Sequence, residues 1–443
     1  MTDNITIFQP ETAPHDDKTV EQLRNCVRAG DEGDLGVLCA DAHYGYSQPV
    51  GGAVAYENYI SPTGVGFDIG CGNKAVATSL FLSDVKDDMP RIMDEITRRI
   101  SFGVGVPNGE EVKDHPVYDR INRDAPLPGV RNLLGKARTQ LGTVGSGNHY
   151  VDLFAEEGTD RIWIGVHFGS RGFGHQVASG FLALAQGQAF EDRAKEGEAS
   201  SPPVLFHKDS PLGHLYLESM AIAGEYAYAG RDAVVDKVLD ILGNPGVFHE
   251  VHNHHNFLWQ EEINGRTMYV VRKGCTPLYQ GQQGFVGGSM GENAVIIEGE
   301  ITNQPSAWVG TSSLWSAPHG AGRVMSRTEA KGKARKRWYC EECGWQQLPR
   351  TAGVDGECPE CHAPAKKRWV QETEGKVDWK AALKRLKRQG IELRGGDADE
   401  APEAYKRLPE VLAAHAPYVQ VKHSLRPIGV AMAGVGVHDP YKD

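Results

Sequence analysis

GVGFDIGCGN, residues 64–73, sets an aspartate, Asp68, and a cysteine, Cys71, three positions apart among four glycines. Glycine is used where the chain must take positive φ or run close against another group. A cysteine that only fills a core sits more often among Val, Ile and Leu. The D-x-x-C spacing lets both side chains converge on one point if the segment turns, and a carboxylate beside a thiolate is a donor set for a metal. The stretch reads as part of a metal or phosphate site, with plain packing as the alternative. The other ligands must come from elsewhere in the chain.

The remaining sequence bounds what that site belongs to. The chain has 443 residues, a formal charge of −11 and 53 glycines, a count that implies many tight turns. No apolar run approaches the roughly 20 residues of a membrane helix. The start, MTDNITIFQPETAPHDDK, lacks a charged-then-apolar signal pattern, so a cytoplasmic protein without a membrane partner is expected. Amphipathic helices are expected over 87–101, 214–242 and 377–389, and strands over 160–170, 265–274 and 293–300. The mixture is an α+β fold with several sheets. Polar residues and glycines collect where the strands stop, which is where sites are commonly built.

Residues 331–388 differ in character, with 15 Lys and Arg against 8 Asp and Glu, while the remainder is near −18. Within them, CEEC (340–343) and CPECH (358–362) are two C-x-x-C pairs separated by 14 residues. That spacing fits a Cys₄ zinc ribbon, with Cys340, Cys343, Cys358 and Cys361 as ligands of a structural Zn²⁺. His362 is the less favoured substitute for Cys361, and a redox dithiol is the alternative to zinc. The flanks KGKARKRW and KKRW pair basic clusters with Trp338 and Trp369. Such flanks suit phosphate contact and base stacking; a stabilising insertion with solvated charges is the competing reading. Cys26 and Cys39 read as packing residues.

Of seventeen histidines, most read as surface or supporting residues. Four contexts stand apart: VGSGNHYVD (144–152) with Asn148 and His149, VHFGSRGFGHQ (166–176) with His167 and Arg171, VHNHHNF (251–257) with His255, and SAPHGAGR (316–323) with His319 and Arg323. Together with D-x-x-C they offer the usual donors of borderline divalent metals; softness alone suggests zinc or iron. Glycine-rich turns expose backbone N–H groups to phosphate and Arg grips it bidentately, so a phosphorylated substrate is expected.

Taken in order, DAHYGYSQPVGG (41–52), GVGFDIGCGN, GSGNHY, VHFGSRGFGHQ, HHN, VRKG, GGSMG (287–291), HGAGR and APEAYK (401–406) resemble the RtcB family. Each motif alone is weak; nine in sequence, between about residue 35 and residue 434, are specific. Members of that family are GTP- and manganese-dependent RNA ligases. They join a 2′,3′-cyclic phosphate or 3′-phosphate end to a 5′-hydroxyl end in tRNA splicing and RNA repair. The resemblance implies mixed β-sheets flanked by helices, with one discontinuous core over 1–330 and 371–443 interrupted by the zinc ribbon at 331–370. It implies an RNA substrate, tRNA among the candidates, and a monomer, with an accessory activating protein left open.

Carried over by position, the resemblance makes Asp68, Cys71 and His149 ligands of one Mn²⁺, with Cys71 bridging to a second held by His167 and His255. His319 matches the histidine that takes GMP from GTP. Asn148, Asp152, Ser289, Met290, Ala321 and Tyr405 match nucleotide-binding positions, Tyr405 at the guanine. Arg171, Lys273 and Arg323 match positions that handle phosphate or the RNA end. Two departures touch the guanine. Asp152 stands where the family commonly has Glu, and Met432 stands where a lysine is usual, leaving Lys422 or Lys442 as stand-ins. The competing functional readings are a dinuclear metal-dependent phosphoester hydrolase and a non-catalytic RNA-binding descendant.

Overall fold

The computed structural model describes residues 4–194, 197–300, 313–348, 354–416 and 418–434. Each expected element is present near its expected position. The helices run Met89–Arg99, Pro211–Ile241 and Trp379–Arg388. The strands run Arg161–Phe168, Arg266–Lys273 and Ala294–Gly299. Local chemistry sets their ends. Ser210 accepts from the Gly213 amide ahead of a proline at the first turn, and Asp378 accepts from the Ala381 amide. In Met89–Arg99 the buried residues are Met89, Ile92, Met93 and Ile96, the single stripe of an amphipathic helix. No helix among the described residues is long and apolar enough to cross a membrane.

Two mixed sheets carry the architecture. The first has the order Ile5–Ile7, Leu35–His43, Val50–Tyr56, Arg266–Lys273, Asn256–Ile263. The second has the order Gln283–Val286, Ala294–Gly299, Val419–Met432, Tyr150–Glu156, Arg161–Phe168, Gly72–Phe81, Val247–His254, and Glu392–Arg394 lies parallel to Val419–Met432. The chain passes from the second sheet to the first at a single residue, His255, between Val247–His254 and Asn256–Ile263.

The helix Pro211–Ile241 ties the two halves together. Tyr216, Met220 and Tyr226 pack with Leu38, Val54 and Val271 of the first sheet. Val234, Val235 and Val238 pack with Val76, Ile164 and Val166 of the second. Between those groups the helix buries Arg231 completely. A buried guanidinium must satisfy its donors, and Arg231 donates to the Gly70 carbonyl at 2.9 Å, the Phe168 carbonyl at 2.7 Å and His252 Nε2 at 2.9 Å. The first two bonds clamp the 64–73 stretch against the end of Arg161–Phe168.

Candidate active site and metal centre

Strand register explains why residues far apart in sequence meet. Gly72 pairs with Phe168 on one side and His254 on the other, and Tyr150 pairs with His167. Cys71, His149, His167 and His255 therefore reach the same end of the second sheet. Glycine is required on both sides of Cys71. Gly70 has φ +69°, and a Cβ on Gly72 would lie 2.1 Å from the Asn253 carbonyl oxygen.

Cys71 Sγ stands 3.6 Å from His149 Nε2 and 3.6 Å from His167 Nε2, and His149 Nε2 is 3.2 Å from Asp68 Oδ2. Two overlapping donor sets result, Asp68–Cys71–His149 and Cys71–His167–His255, each with its ligand atoms within 4.8 Å of one another. Asn73 Oδ1 lies 2.7 Å from His167 Nδ1, which orients that ring with Nε2 toward the thiol. Arg171, held at φ 55°, donates to the Val144 carbonyl, and its guanidinium lies 3.2 Å from His149 Nδ1. Burial works to raise the Asp68 carboxyl, but His149 and Arg171 outweigh it and hold the group well below the carboxylate range. Burial and the Asp68 charge push the Cys71 thiol far up. Burial keeps His167 and His255 neutral, the form that ligates metal.

His319 follows the strand Ser316–Pro318, and its ring centroid is 4.7 Å from that of His255. Asp41 was not singled out by the sequence, yet it fixes this histidine. Its Oδ2 accepts from the His319 amide at 3.0 Å and lies 2.7 Å from His319 Nδ1. Burial alone would raise Asp41, but the bonds to His319 prevail and hold it below its ordinary value, so it is a carboxylate. A carboxylate on Nδ1 places the ring proton there and leaves Nε2 with its lone pair.

All the candidate ligand, nucleotide and phosphate residues outside the ribbon line one cleft of about 940 Å³. Several of its buried polar atoms, Tyr150 Oη, Asp152 Oδ1, Ser289 Oγ and Arg323 Nη2, lack a protein partner, as expected of a polar ligand pocket. Tyr405 and Arg323 act as a unit: the guanidinium lies 5.0 Å above the ring and donates to the phenol oxygen at 3.1 Å, while that hydroxyl donates to Glu400. Lys273 Nζ donates to the Tyr46 and Gln48 carbonyls at 2.6 and 3.2 Å. Met432 lines the cleft. Lys422 does not; it turns to Glu298 at 3.2 Å, so it cannot take the place of a lysine at the base. Lys442 lies outside the described residues.

Two further residues that position the candidate site, Asn73 and Arg231, were not singled out by the sequence either. Asn73 ends the opening stretch. Arg231 is a lone cation on an apolar helix face, a signal that was available.

The four ribbon cysteines come together away from this cleft. Cys340 Sγ is 3.4 Å from Cys361 Sγ, Cys343 Sγ is 3.6 Å from Cys358 Sγ, and all four lie within 4.8 Å. His362 is exposed, bonded to Glu357 at 2.6 Å, and outside the group. A further set, Asp232, Glu250 and His252, already holds a cation of its own, since Lys74 Nζ is 2.6 Å from Asp232 and 3.1 Å from Glu250.

Residues 22–127 and 119–367 match the family described as tRNA-splicing ligase RtcB. The chain is 30% identical over 414 residues to the RNA-splicing ligase RtcB of Escherichia coli K12, covering 88% of this chain and 87% of that protein. It is 28% identical to the tRNA-splicing ligase RtcB of Nanoarchaeum equitans, over 71% of this chain and 78% of that one. With the tRNA-splicing ligase RtcB of Archaeoglobus fulgidus it shares 27% identity, over 93% and 90% of the two chains.

Proposed function

The chain belongs to the RtcB family, and from that premise we propose that it is an RNA ligase that seals 3′-phosphate or 2′,3′-cyclic phosphate ends to 5′-hydroxyl ends, using GTP. The supporting observation is the pairing of Asp41 with His319 beside two donor sets that share Cys71. His319 Nε2 attacks the α-phosphorus of GTP, forming a P–N bond as pyrophosphate leaves. Where the end is a 2′,3′-cyclic phosphate, water first adds to phosphorus and the 2′-oxygen leaves as the 2′-hydroxyl. The GMP then passes from His319 to an oxygen of the RNA 3′-phosphate, freeing the histidine. The 5′-hydroxyl then attacks the activated 3′-phosphorus, forming the phosphodiester and expelling GMP.

Asp68, Cys71, His149, His167 and His255 would hold two Mn²⁺ ions, which supply neutralisation of phosphate charge. Asn148, Ser289, Met290, Ala321 and Tyr405 would seat the nucleotide with Asp152 at the base edge. Arg171, Lys273 and Arg323 would hold the RNA end. Outside this core, 1–330 and 371–443, the ribbon at 331–370 would carry one structural Zn²⁺.

A dinuclear hydrolase could use the same ligands to activate water. It has no need of a histidine with a fixed tautomer. Incubation with GTP labelled at the α-phosphate and Mn²⁺, followed by denaturation, tests the reading. An acid-labile protein–GMP adduct that is consumed when 3′-phosphate and 5′-hydroxyl RNAs are added supports it. RNA phosphate release without adduct or sealing overturns it.

A further inference from the structure

The ribbon's stem is a hairpin of Gly332–Cys340 with Ala365–Glu374 that rises from the rim of the cleft. The helix Arg327–Lys331 leads directly into it, and Ser326, Arg327 and Glu329 line the cleft. Its two faces differ. Lys336 pairs with Trp369 and Trp338 with Lys367, so these four side chains leave the same face. Lys336 Nζ lies 5.5 Å from the Trp369 ring centre, and Lys367 Nζ lies 4.9 Å from that of Trp338. Neither lysine has a carboxylate partner among the described residues, and Trp369 is 66% exposed. On the opposite face Arg335 and Arg337 share the single carboxylate of Glu372, and Arg368 lies over the Tyr339 ring.

Trp338 is half-buried and Trp369 exposed, each beside a lysine without a carboxylate partner among the described residues, and an exposed tryptophan leaves a large apolar ring face in water for little gain in stability. The face is a good surface for a polyanion with flat bases, on a chain whose remainder is strongly acidic. We propose that this face binds a single-stranded stretch of RNA outside the cleft, with Trp338 and Trp369 stacking on bases and Lys336 and Lys367 on the adjoining phosphates. The identity of that strand as substrate rests on the ligase reading; the binding does not.

The test uses the full zinc-loaded chain and a labelled single-stranded oligoribonucleotide ending in a 3′-phosphate, read by fluorescence anisotropy over a salt series. Trp338→Ala with Trp369→Ala should weaken binding at least about fivefold, and the paired Phe substitutions should restore most of it. Lys336→Ala with Lys367→Ala should flatten the salt slope by about 1.4, two phosphate contacts at ~0.7 each. Zinc content and GMP adduct formation should be unchanged in both. Unaltered affinity and salt slope in both double variants overturn the proposal, as does a surface that takes up polyglutamate but not RNA. Wild-type binding through these residues without adduct or sealing would instead overturn the ligase reading and leave this surface standing.

Discussion

Asp41 Oδ2 lies 2.7 Å from His319 Nδ1 and also accepts from the His319 amide at 3.0 Å, so one carboxylate fixes both the backbone and the ring of the same histidine. Asp41→Asn keeps the shape, but its amide can donate to Nδ1 and so favour the proton on Nε2. The rate of GMP adduct formation should fall by roughly 10²- to 10⁴-fold. His319→Ala should abolish the adduct while leaving bound metal intact, since His319 belongs to neither donor set. Single-turnover labelling with metal analysis reads both effects. A fast adduct in Asp41→Asn would remove the tautomer argument.

Cys71 is the one residue common to both donor sets. Cys71→Ser should therefore lose metal at both positions and eliminate sealing at limiting Mn²⁺. Cys26→Ala should bind metal as wild type and cost about 1 kcal/mol of stability, because Cys26 is a buried thiol pushed up to about 12 by burial. The Cys71 thiol is also raised, so it must release a proton to ligate. Metal affinity of the wild type should weaken by about tenfold or more per pH unit of acidification below neutrality. Calorimetric titration in buffers of different ionisation heat counts the protons. Equal metal content in Cys71→Ser and wild type contradicts the shared-ligand role.

His415 holds the backbone next to Asp41, through the Ala40 amide, and gives the fold an acid limit. Its Nε2 accepts from the Ala40 amide at 3.0 Å, and its ring lies 4.4 Å from that of Phe8. Burial lowers its pKa from 6.5 to about 4. The folded state thus binds its proton less readily than the unfolded chain. The stability is present above pH ~6.5 and is lost as pH falls toward about 4, a loss of roughly 3 kcal/mol in total. In His415→Gln, which can keep an acceptor but does not titrate, the difference from wild type should shrink over that window. Denaturant unfolding at a series of pH values checks it; a constant difference excludes the linkage.

How much of this was legible in the sequence follows from the range of each interaction. The members of the two donor sets were readable because each sits in its own short Gly- or Asn-rich motif, and the four-cysteine group because its spacing is local. Asp41 was not singled out, because its partner lies 278 positions away and no spacing rule joins them. Asn73 acts on His167 only through the strand pairing that sets the two side by side. Lys422 failed as a substitute for a similar reason. It stands ten residues before Met432 on one strand, and pairing with Ala294–Gly299 delivers it to Glu298. Proximity in sequence along a strand is not proximity to the cleft.

Met432 and Asp152 lie on adjoining strands, Val430 opposite Asp152 and Met432 opposite Tyr150, and all four line the cleft. Burial pushes the Asp152 carboxyl well above its usual range, and its Oδ1 has no protein partner. Guanine offers N–H donors on the edge that distinguishes it from adenine, and a charged acceptor suits them better than a protonated one. Affinity for GTP should therefore improve as pH rises and Asp152 ionises. Met432→Lys places an ammonium on the same face, which lowers the Asp152 pKa and moves that improvement to lower pH. Asp152→Asn should flatten the profile and reduce the preference for GTP over ATP by about tenfold or more. KM for both nucleotides in adduct formation, measured between about pH 6 and 9, tests all three chains. Superimposable profiles for wild type and Met432→Lys would show that Asp152 does not read the base.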